Sequence, residues 1–341
     1  MKIRSIAAAL SCAMLMPVLA ACGTSDPVES SGTPAAGTSA DCSTDVATVT
    51  GPVNLTDSFG RSVALDKPAE RVAVLEWQQI EDVLTLCTTP VAVADAKGYA
   101  RWNTAEKLPD GVADVGVRGE PNLDALFATN PDLVIIEAYT PEDPIIKQLA
   151  EYDVPVLATK GADAADPIAN MLATFNLIAQ ALGRAELATA VSGEFQASLA
   201  EAKQTVADAA VENPNFVFFD GWVQGGNVAL RPFGQGSLIG ELGEAVGLTN
   251  AWTGEVDAAY GLGQTDIEGM GKVGDATFFH SGTVDPDSGD VMAELKKNTI
   301  WNSLPAVSQG RAHAFPTGVW TFGGPRSSEQ IIDAYVDVLT R

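Results

Sequence analysis

Short apolar segments of strand length alternate with amphipathic segments of helix length along the first half of this chain. The apolar runs hold four to six residues rich in Val, Ile and Leu, which is typical of strands buried on both faces of a parallel sheet. Apolar residues spaced i, i+3, i+4 between them indicate helices. The sequence therefore predicts a parallel α/β fold. The strands are expected at 72–77, 91–95, 133–137 and 154–159, and the helices at 78–86, 121–129 and 142–152.

A second group of strand-like runs follows a long helical stretch at 166–210. The predicted architecture is two three-layer α/β lobes, residues 53–165 and 211–341, joined by one long helix that Gly183 divides into two. A ligand cleft is expected between the lobes, because clefts between domains are common binding sites. The later strands are expected at 215–222, 227–232, 275–281 and 311–316, and the helices at 237–246 and 327–340.

The first residues resemble an export signal. Lys2 and Arg4 precede an apolar stretch that is short for a membrane span, and the segment Leu19-Ala20-Ala21-Cys22 follows it. This order resembles a lipoprotein signal peptide (residues 1–21) with Cys22 as the lipidated mature N-terminus. An ordinary signal peptide is the alternative. Residues 22–52 are rich in Gly, Ser, Thr, Pro and Ala, which predicts a disordered tether. The expected location is the outer face of the cell membrane.

Cys42 and Cys87 are the two cysteines left after the signal peptide and the lipid-bearing Cys22 are set aside. An even number of cysteines in an oxidising compartment favours a disulfide, which would fasten the end of the tether to the first lobe. Two free thiols are the alternative.

The composition argues against several classes of function. A formal net charge of −24 disfavours nucleic acid and anionic membrane surfaces as partners. No serine stands in a G-x-S-x-G motif, and the G-x-G-x-x-G match at 269–274 precedes a predicted strand instead of following one. His280 and His313 lie on separate predicted strands, so no direct metal site or cofactor is expected. The carboxylate pairs Glu81-Asp82 and Glu142-Asp143 are interpreted as solvated charges on helices.

Specific segments resemble the substrate-binding lipoproteins of ABC importers for ferric siderophores. The similarity is carried by "RVAVLEWQQIEDVLTLCTTPVAVAD" (71–95), "VADVGVRGEPNLDALFATNPDLVII" (112–136) and "WNSLPAVSQGRAHAFPTGVWTFGG" (301–324), and it runs from about residue 53 to the end. The resemblance implies a non-enzymatic protein that binds a ferric siderophore, with the hydroxamate subgroup favoured.

The resemblance also implies the ligand-binding residues. Arg118 occupies the arginine position of the family's "VG-x-R-x-EPN" segment and would reach iron-bound oxygens, as suits a permanently charged, forked donor. Tyr139 and Tyr260 match family tyrosine positions, and Trp320 and Phe322 would cover apolar linkers. Further rim candidates are Tyr99, Arg101 and Trp102, with Trp222, Arg231 and Arg326 as weaker ones, whereas Trp77 and Trp301 are interpreted as packing residues.

The implied partners are the ferric siderophore and an ABC permease with its ATPase. Glu142 and Glu268 match the acidic residues, one on each lobe, with which the family docks on its permease. A monomer is expected, attached to the membrane only through its lipid. Another iron chelate, haem or cobalamin remains an alternative ligand, and a secreted chelate esterase is the alternative from another class.

Overall fold

Two five-stranded sheets organise the part of the chain that the computed structural model describes, namely Cys42, residues 48–285, Asp287 and residues 289–341. The first sheet has the strand order β5-β4-β3-β8-β9 and is parallel throughout. The strands β1–β2 and β6–β7 form two separate hairpins. The elements of this half of the chain are β1 (Val53–Thr56), β2 (Ser62–Leu65), β3 (Val72–Val74), α1 (Trp77–Thr85), β4 (Ala92–Val93), α2 (Ala96–Trp102), β5 (Ala113–Asp114), β6 (Gly116–Val117), β7 (Glu120–Pro121), α3 (Leu123–Ala128), β8 (Leu133–Ala138), α4 (Pro144–Leu149) and β9 (Val156–Lys160).

The second sheet is mixed. Strand β10 pairs with β12 and β13 in parallel and with β11 antiparallel, and β14 extends the sheet beside β13. This half contains α5 (Pro167–Ala181), α6 (Ala185–Asp208), β10 (Asn215–Gln224), β11 (Asn227–Phe233), α7 (Leu238–Ala245), β12 (Thr249–Asn250), α8 (Ile267–Met270), a 3₁₀ turn (Gly271–Val273), β13 (Thr277–His280), α9 (Val291–Leu295), α10 (Thr299–Ser303), α11 (Pro305–Ser308), β14 (Ala312–Ala314) and α12 (Pro325–Leu339).

Helices α5 and α6 connect the two lobes. On α6, Val191 packs in the core of the first lobe and Phe195 in the core of the second. On α5, Phe175 packs in the first core and Met171 in the second. The connection is thus a pair of helices that both pass between the cores, and it breaks at Gly183, whose φ of +67° suits glycine.

The beginning of the described chain is fastened to the first lobe. Cys42 forms a disulfide with Cys87, with 5.5 Å between their Cα atoms, which is the pair singled out from the sequence. The backbone N–H of Val49 donates to the carbonyl of Gly183 at 3.0 Å, so this part of the expected tether contacts the turn between α5 and α6. The signal peptide, Cys22 and most of the tether lie outside the described residues. Within the described residues, no helix has the length and apolar character needed to span a bilayer.

Local expectations failed at two places in the first lobe. Pro121 does not begin a helix: it pairs with Gly116 in the β6–β7 hairpin, and Asn122 caps α3 by accepting from Ala125 N at 3.0 Å. The interpretation of Glu81 and Asp82 as solvated was wrong, because both are fully buried.

Glu81 lies against the first turn of α12, where it accepts hydrogen bonds from Ser327 N at 2.8 Å and Ser327 Oγ at 2.5 Å. A third bond comes from Asn103 Nδ2 at 2.6 Å. Burial raises the pKa of Glu81, and it raises that of Asp82 well above the ordinary value, with the charge of Glu81 acting in the same direction. The buried carboxyl of Glu81 therefore ties a helix of the first lobe to a helix of the second.

Candidate functional site

Arg118 lies at the tip of the β6–β7 hairpin, beside the carboxyl edge of the first sheet. Gly116 pairs with Pro121 and Val117 with Glu120, which leaves Arg118 and Gly119 as the turn. The guanidinium carbon lies 3.8 Å from the ring centroid of Trp77 and 5.7 Å from that of Trp320. Its Nη1 donates to Glu76 Oε1. A charged group stacked on one indole and held by one carboxylate is a preorganised donor for oxygen ligands.

Two carboxylates, Glu76 and Glu137, stand at the carboxyl ends of adjacent strands. Val74 of β3 pairs with Ile135 of β8, and each glutamate follows its strand partner by two residues. Neither was singled out from the sequence, although both apolar runs, "VAVLE" and "LVIIE", end in glutamate. That repeated ending was the available signal, because the carboxyl ends of neighbouring parallel strands meet at one edge, where ligands bind.

Glu137 contacts the second lobe through Tyr260, whose hydroxyl donates to Glu137 Oε1. Burial and the nearby charge of Glu76 raise the pKa of Glu137 to about 7, although the Tyr260 hydrogen bond and Arg118 oppose the shift. Burial and the charge of Glu137 in turn raise the pKa of Tyr260. Tyr139 is 70% exposed, and its ring centroid lies 6.2 Å from that of Tyr260. The two predicted tyrosines are thus neighbours in the cleft.

An aromatic wall joins the two lobes behind these polar groups. The ring centroid of Trp320 lies 4.8 Å from that of Trp77, 6.2 Å from Trp102 and 5.2 Å from Phe322. The ring centroid of Phe322 lies 5.6 Å from that of Tyr260. These rings present apolar faces beside charged donors, which suits a ligand with oxygen atoms and apolar linkers. Trp77 is buried as predicted, but it also supports Arg118.

Two recesses flank the aromatic wall. The first has a volume of about 420 Å³ and is lined by Glu76, Arg118, Glu137 and Tyr139 among others. The second has a volume of about 260 Å³ and includes Trp102, Trp222, Asp220, Arg231 and His280. Within it, Arg231 Nε donates to Asp220 Oδ1 at 2.8 Å, and a second bond joins the same side chains. The predicted residue Trp102 therefore shares a recess with the weaker candidates Trp222 and Arg231.

Tyr99 was a wrong prediction as a rim residue. Its side chain is fully buried in the first core, where its hydroxyl donates to the Glu106 carbonyl at 2.7 Å, because this face of α2 points inward. Arg101 lies on the exposed side of the same helix, 3.7 Å from Asp285.

Several other candidates lie outside the cleft. Arg326 is 4% exposed and forms ion pairs with Glu194 and Glu329, so its role is structural. Trp301 is 1% exposed and packs in the second core, as predicted. Glu142 and Glu268 are exposed near the starts of α4 and α8, one on each lobe. Across the described residues, no three His, Cys, Asp or Glu side chains form a group that could hold a metal ion.

Comparisons with known proteins agree with this architecture. Residues 72–316 match the family described as periplasmic binding protein. The chain is 26% identical over 268 residues to the iron(3+)-hydroxamate-binding protein FhuD of Escherichia coli K12, an alignment that covers 77% of this chain and 84% of that protein. It is 29% identical over 282 residues to the Fe(3+)-citrate-binding protein YfmC of Bacillus subtilis 168, covering 80% and 81%.

Among solved structures, the siderophore-binding protein FhuD of Vibrio cholerae with bound Fe³⁺-Desferal has a TM-score of 0.67 at 23% identity. That match covers 80% of this chain and 98% of the other, and it shows a shared fold. Because the family match spans well over half of the sequence, this chain belongs to the periplasmic binding protein family.

Proposed function

We propose that this chain is the extracytoplasmic substrate-binding lipoprotein of an ABC importer, and that it binds a ferric siderophore of the hydroxamate type between its lobes. It would deliver that ligand to the permease without covalent chemistry. The observation that carries the proposal is the placement of Arg118 on the face of Trp77, 3.8 Å from its ring, beside the aromatic wall. A hydroxamate chelate presents iron-bound oxygens to such a donor and apolar linkers to such rings.

Two relatives support an iron chelate as the ligand class. FhuD of E. coli is named for iron(3+)-hydroxamate and YfmC of B. subtilis for Fe(3+)-citrate. Hydroxamate is preferred here, because Glu76 and Glu137 stand beside Arg118 and would repel a polycarboxylate. Lipidation at Cys22 and docking through Glu142 and Glu268 belong to the same proposal, and the exposure of both glutamates is compatible with docking.

Fluorescence titration with ferric hydroxamates tests the proposal. Trp77, Trp102 and Trp320 cluster beside Arg118, so a bound ferric chelate should quench a large part of the indole emission. Arg118→Ala should weaken binding by about 1.5–3 kcal/mol, the value of a charged hydrogen bond. Arg311→Ala is the matched control, since Arg311 forms a surface ion pair with Asp275.

The proposal fails if no ferric hydroxamate quenches the emission of the wild-type protein. The assignment of Arg118 to the binding site is wrong if Arg118→Ala binds ferric hydroxamates with the affinity of Arg311→Ala. A turnover assay on the same chelates completes the test, because product formation would show an enzyme instead of a binding protein.

A further inference from the structure

Carboxylates outnumber guanidinium groups in both recesses of the cleft. Among the described residues that line the first recess, the acidic ones are Glu76, Glu137 and Asp143, against Arg118 as the basic one. Among those that line the second, the acidic ones are Asp220, Asp285 and Asp290, against Arg231. The side chains that line the cleft therefore carry more acidic than basic groups, although the guanidinium of Arg118 is the proposed donor to the ligand.

The two donors best placed for a chelate already contact carboxylates. Arg118 donates to Glu76 and Tyr260 donates to Glu137. An oxygen atom of a ligand that approaches either donor must share it with the glutamate or displace the glutamate. In both cases the ligand oxygen comes close to a carboxylate, and like charges repel more strongly in a partly buried site than in water, because the effective dielectric constant is lower there.

The surroundings of Glu137 oppose further negative charge. Glu76 faces it from the start of α1, Arg118 from the hairpin, Tyr139 from just after β8 and Tyr260 from the second lobe. Burial and Glu76 raise the pKa of Glu137 to about 7, even though Arg118 acts in the opposite direction. By charge count, the single guanidinium of Arg118 stands against the two carboxyl groups of Glu76 and Glu137 in this recess.

We propose that Glu76 and Glu137 are specificity-determining residues, which restrict the cleft to ferric chelates whose oxygen shell carries no net negative charge. This inference rests on the proposed function. Three singly charged hydroxamates cancel the charge of Fe³⁺, whereas three doubly charged catecholates leave a trianion. Arg118 would then supply the attraction for iron-bound oxygens, and the two glutamates would supply the rejection of anions.

The experiment compares two probes that share an octahedral oxygen shell around the same metal. Ferric desferrioxamine B serves as the trihydroxamate and a ferric triscatecholate as the trianion. Their dissociation constants are measured at pH 7.5 for the wild-type chain, Glu76→Gln, Glu137→Gln and the double variant. Glu201→Gln is the control, because Glu201 is exposed on α6 and its substitution changes the net charge of the chain as much as each single substitution does. Far-ultraviolet circular dichroism and thermal unfolding check that each variant folds.

The wild-type chain should prefer the trihydroxamate, and the double variant should narrow the ratio of dissociation constants by about tenfold or more. The gain should come from tighter binding of the triscatecholate, and the control should leave the ratio unchanged. If the double variant does not fold, the same ratio of dissociation constants is measured for the single variant Glu137→Gln, which should narrow it in the same direction. If no glutamate variant changes the ratio of the two dissociation constants by more than Glu201→Gln does, this inference is overturned and the proposed function is not affected. A wild-type chain that binds neither probe overturns the proposed function and this inference with it.

Discussion

Replacing Glu81 by alanine should destabilise the protein strongly, because its buried carboxyl accepts three hydrogen bonds, two of them from the other lobe. Two of the bonds come from Ser327 at the start of α12, and the third comes from Asn103 Nδ2. The contact is close enough that a Cβ on Gly323 would lie 2.7 Å from Glu81 Oε2. Glu81 therefore also fixes the segment 320–324, which carries Trp320 and Phe322 into the cleft.

The expected magnitude follows from the donors that alanine would leave without an acceptor. A buried donor that loses its partner costs about 1–3 kcal/mol. Asn103 Nδ2 lies 3.3 Å from Ser327 Oγ, so these two groups can partly satisfy each other once the carboxyl is gone. We therefore expect Glu81→Ala to lower the free energy of unfolding by about 3–5 kcal/mol. Ser327→Ala keeps the bond from its backbone N–H and should cost only about 1 kcal/mol.

Urea unfolding followed by circular dichroism and tryptophan fluorescence measures these values. Glu201→Ala is the control, because Glu201 is exposed on a helix and its replacement should change stability by no more than about 0.5 kcal/mol. The double variant Glu81→Ala with Ser327→Ala should show a non-additive effect, since the two side chains contact each other. The reasoning is refuted if Glu81→Ala unfolds at the urea concentration of the control, or if the effects of the two substitutions add.

Two further predictions concern the disulfide and the cleft. Replacing Cys42 and Cys87 by serine should lower the free energy of unfolding by about 2–4 kcal/mol, because the bond closes a loop of 45 residues in the unfolded chain; an unfolding midpoint that reductant leaves unchanged in the wild-type protein would contradict this. Because the pKa of Glu137 is raised, its carboxyl is protonated in the folded protein but ionised in the unfolded chain between about pH 4.5 and 7. The contribution of Glu137 to the free energy of unfolding therefore falls as the pH rises through that range. Compared with Glu137→Gln, the wild-type protein should therefore lose about 1–3 kcal/mol between pH 4.5 and 7.5 in urea unfolding, and parallel pH profiles of the two proteins would contradict the assignment.

Part of the fold was predictable because its signals are local. The buried runs of β3 and β8 are continuous and apolar, and the helices between them carry the 3.6-residue period, so both were found near their true positions. The β6–β7 hairpin was missed, since two strands of two residues each contain no periodic pattern. Tyr99 was misplaced because the proximity of a tyrosine to Arg101 in sequence does not say which face of a short helix it occupies.

The sequence by itself determined that this chain forms two α/β lobes with linking helices, and it singled out Arg118 as the cation of the candidate site. Those features follow from residue type and short spacing. Only the tertiary structure decided which groups that cation meets. The contacts that define the cleft join residues 42, 123 and 246 positions apart, namely Arg118 with Glu76, Tyr260 with Glu137, and Ser327 with Glu81. No local pattern encodes such pairs, because their partners are brought together by the packing of whole strands and helices, and burial then sets their charges.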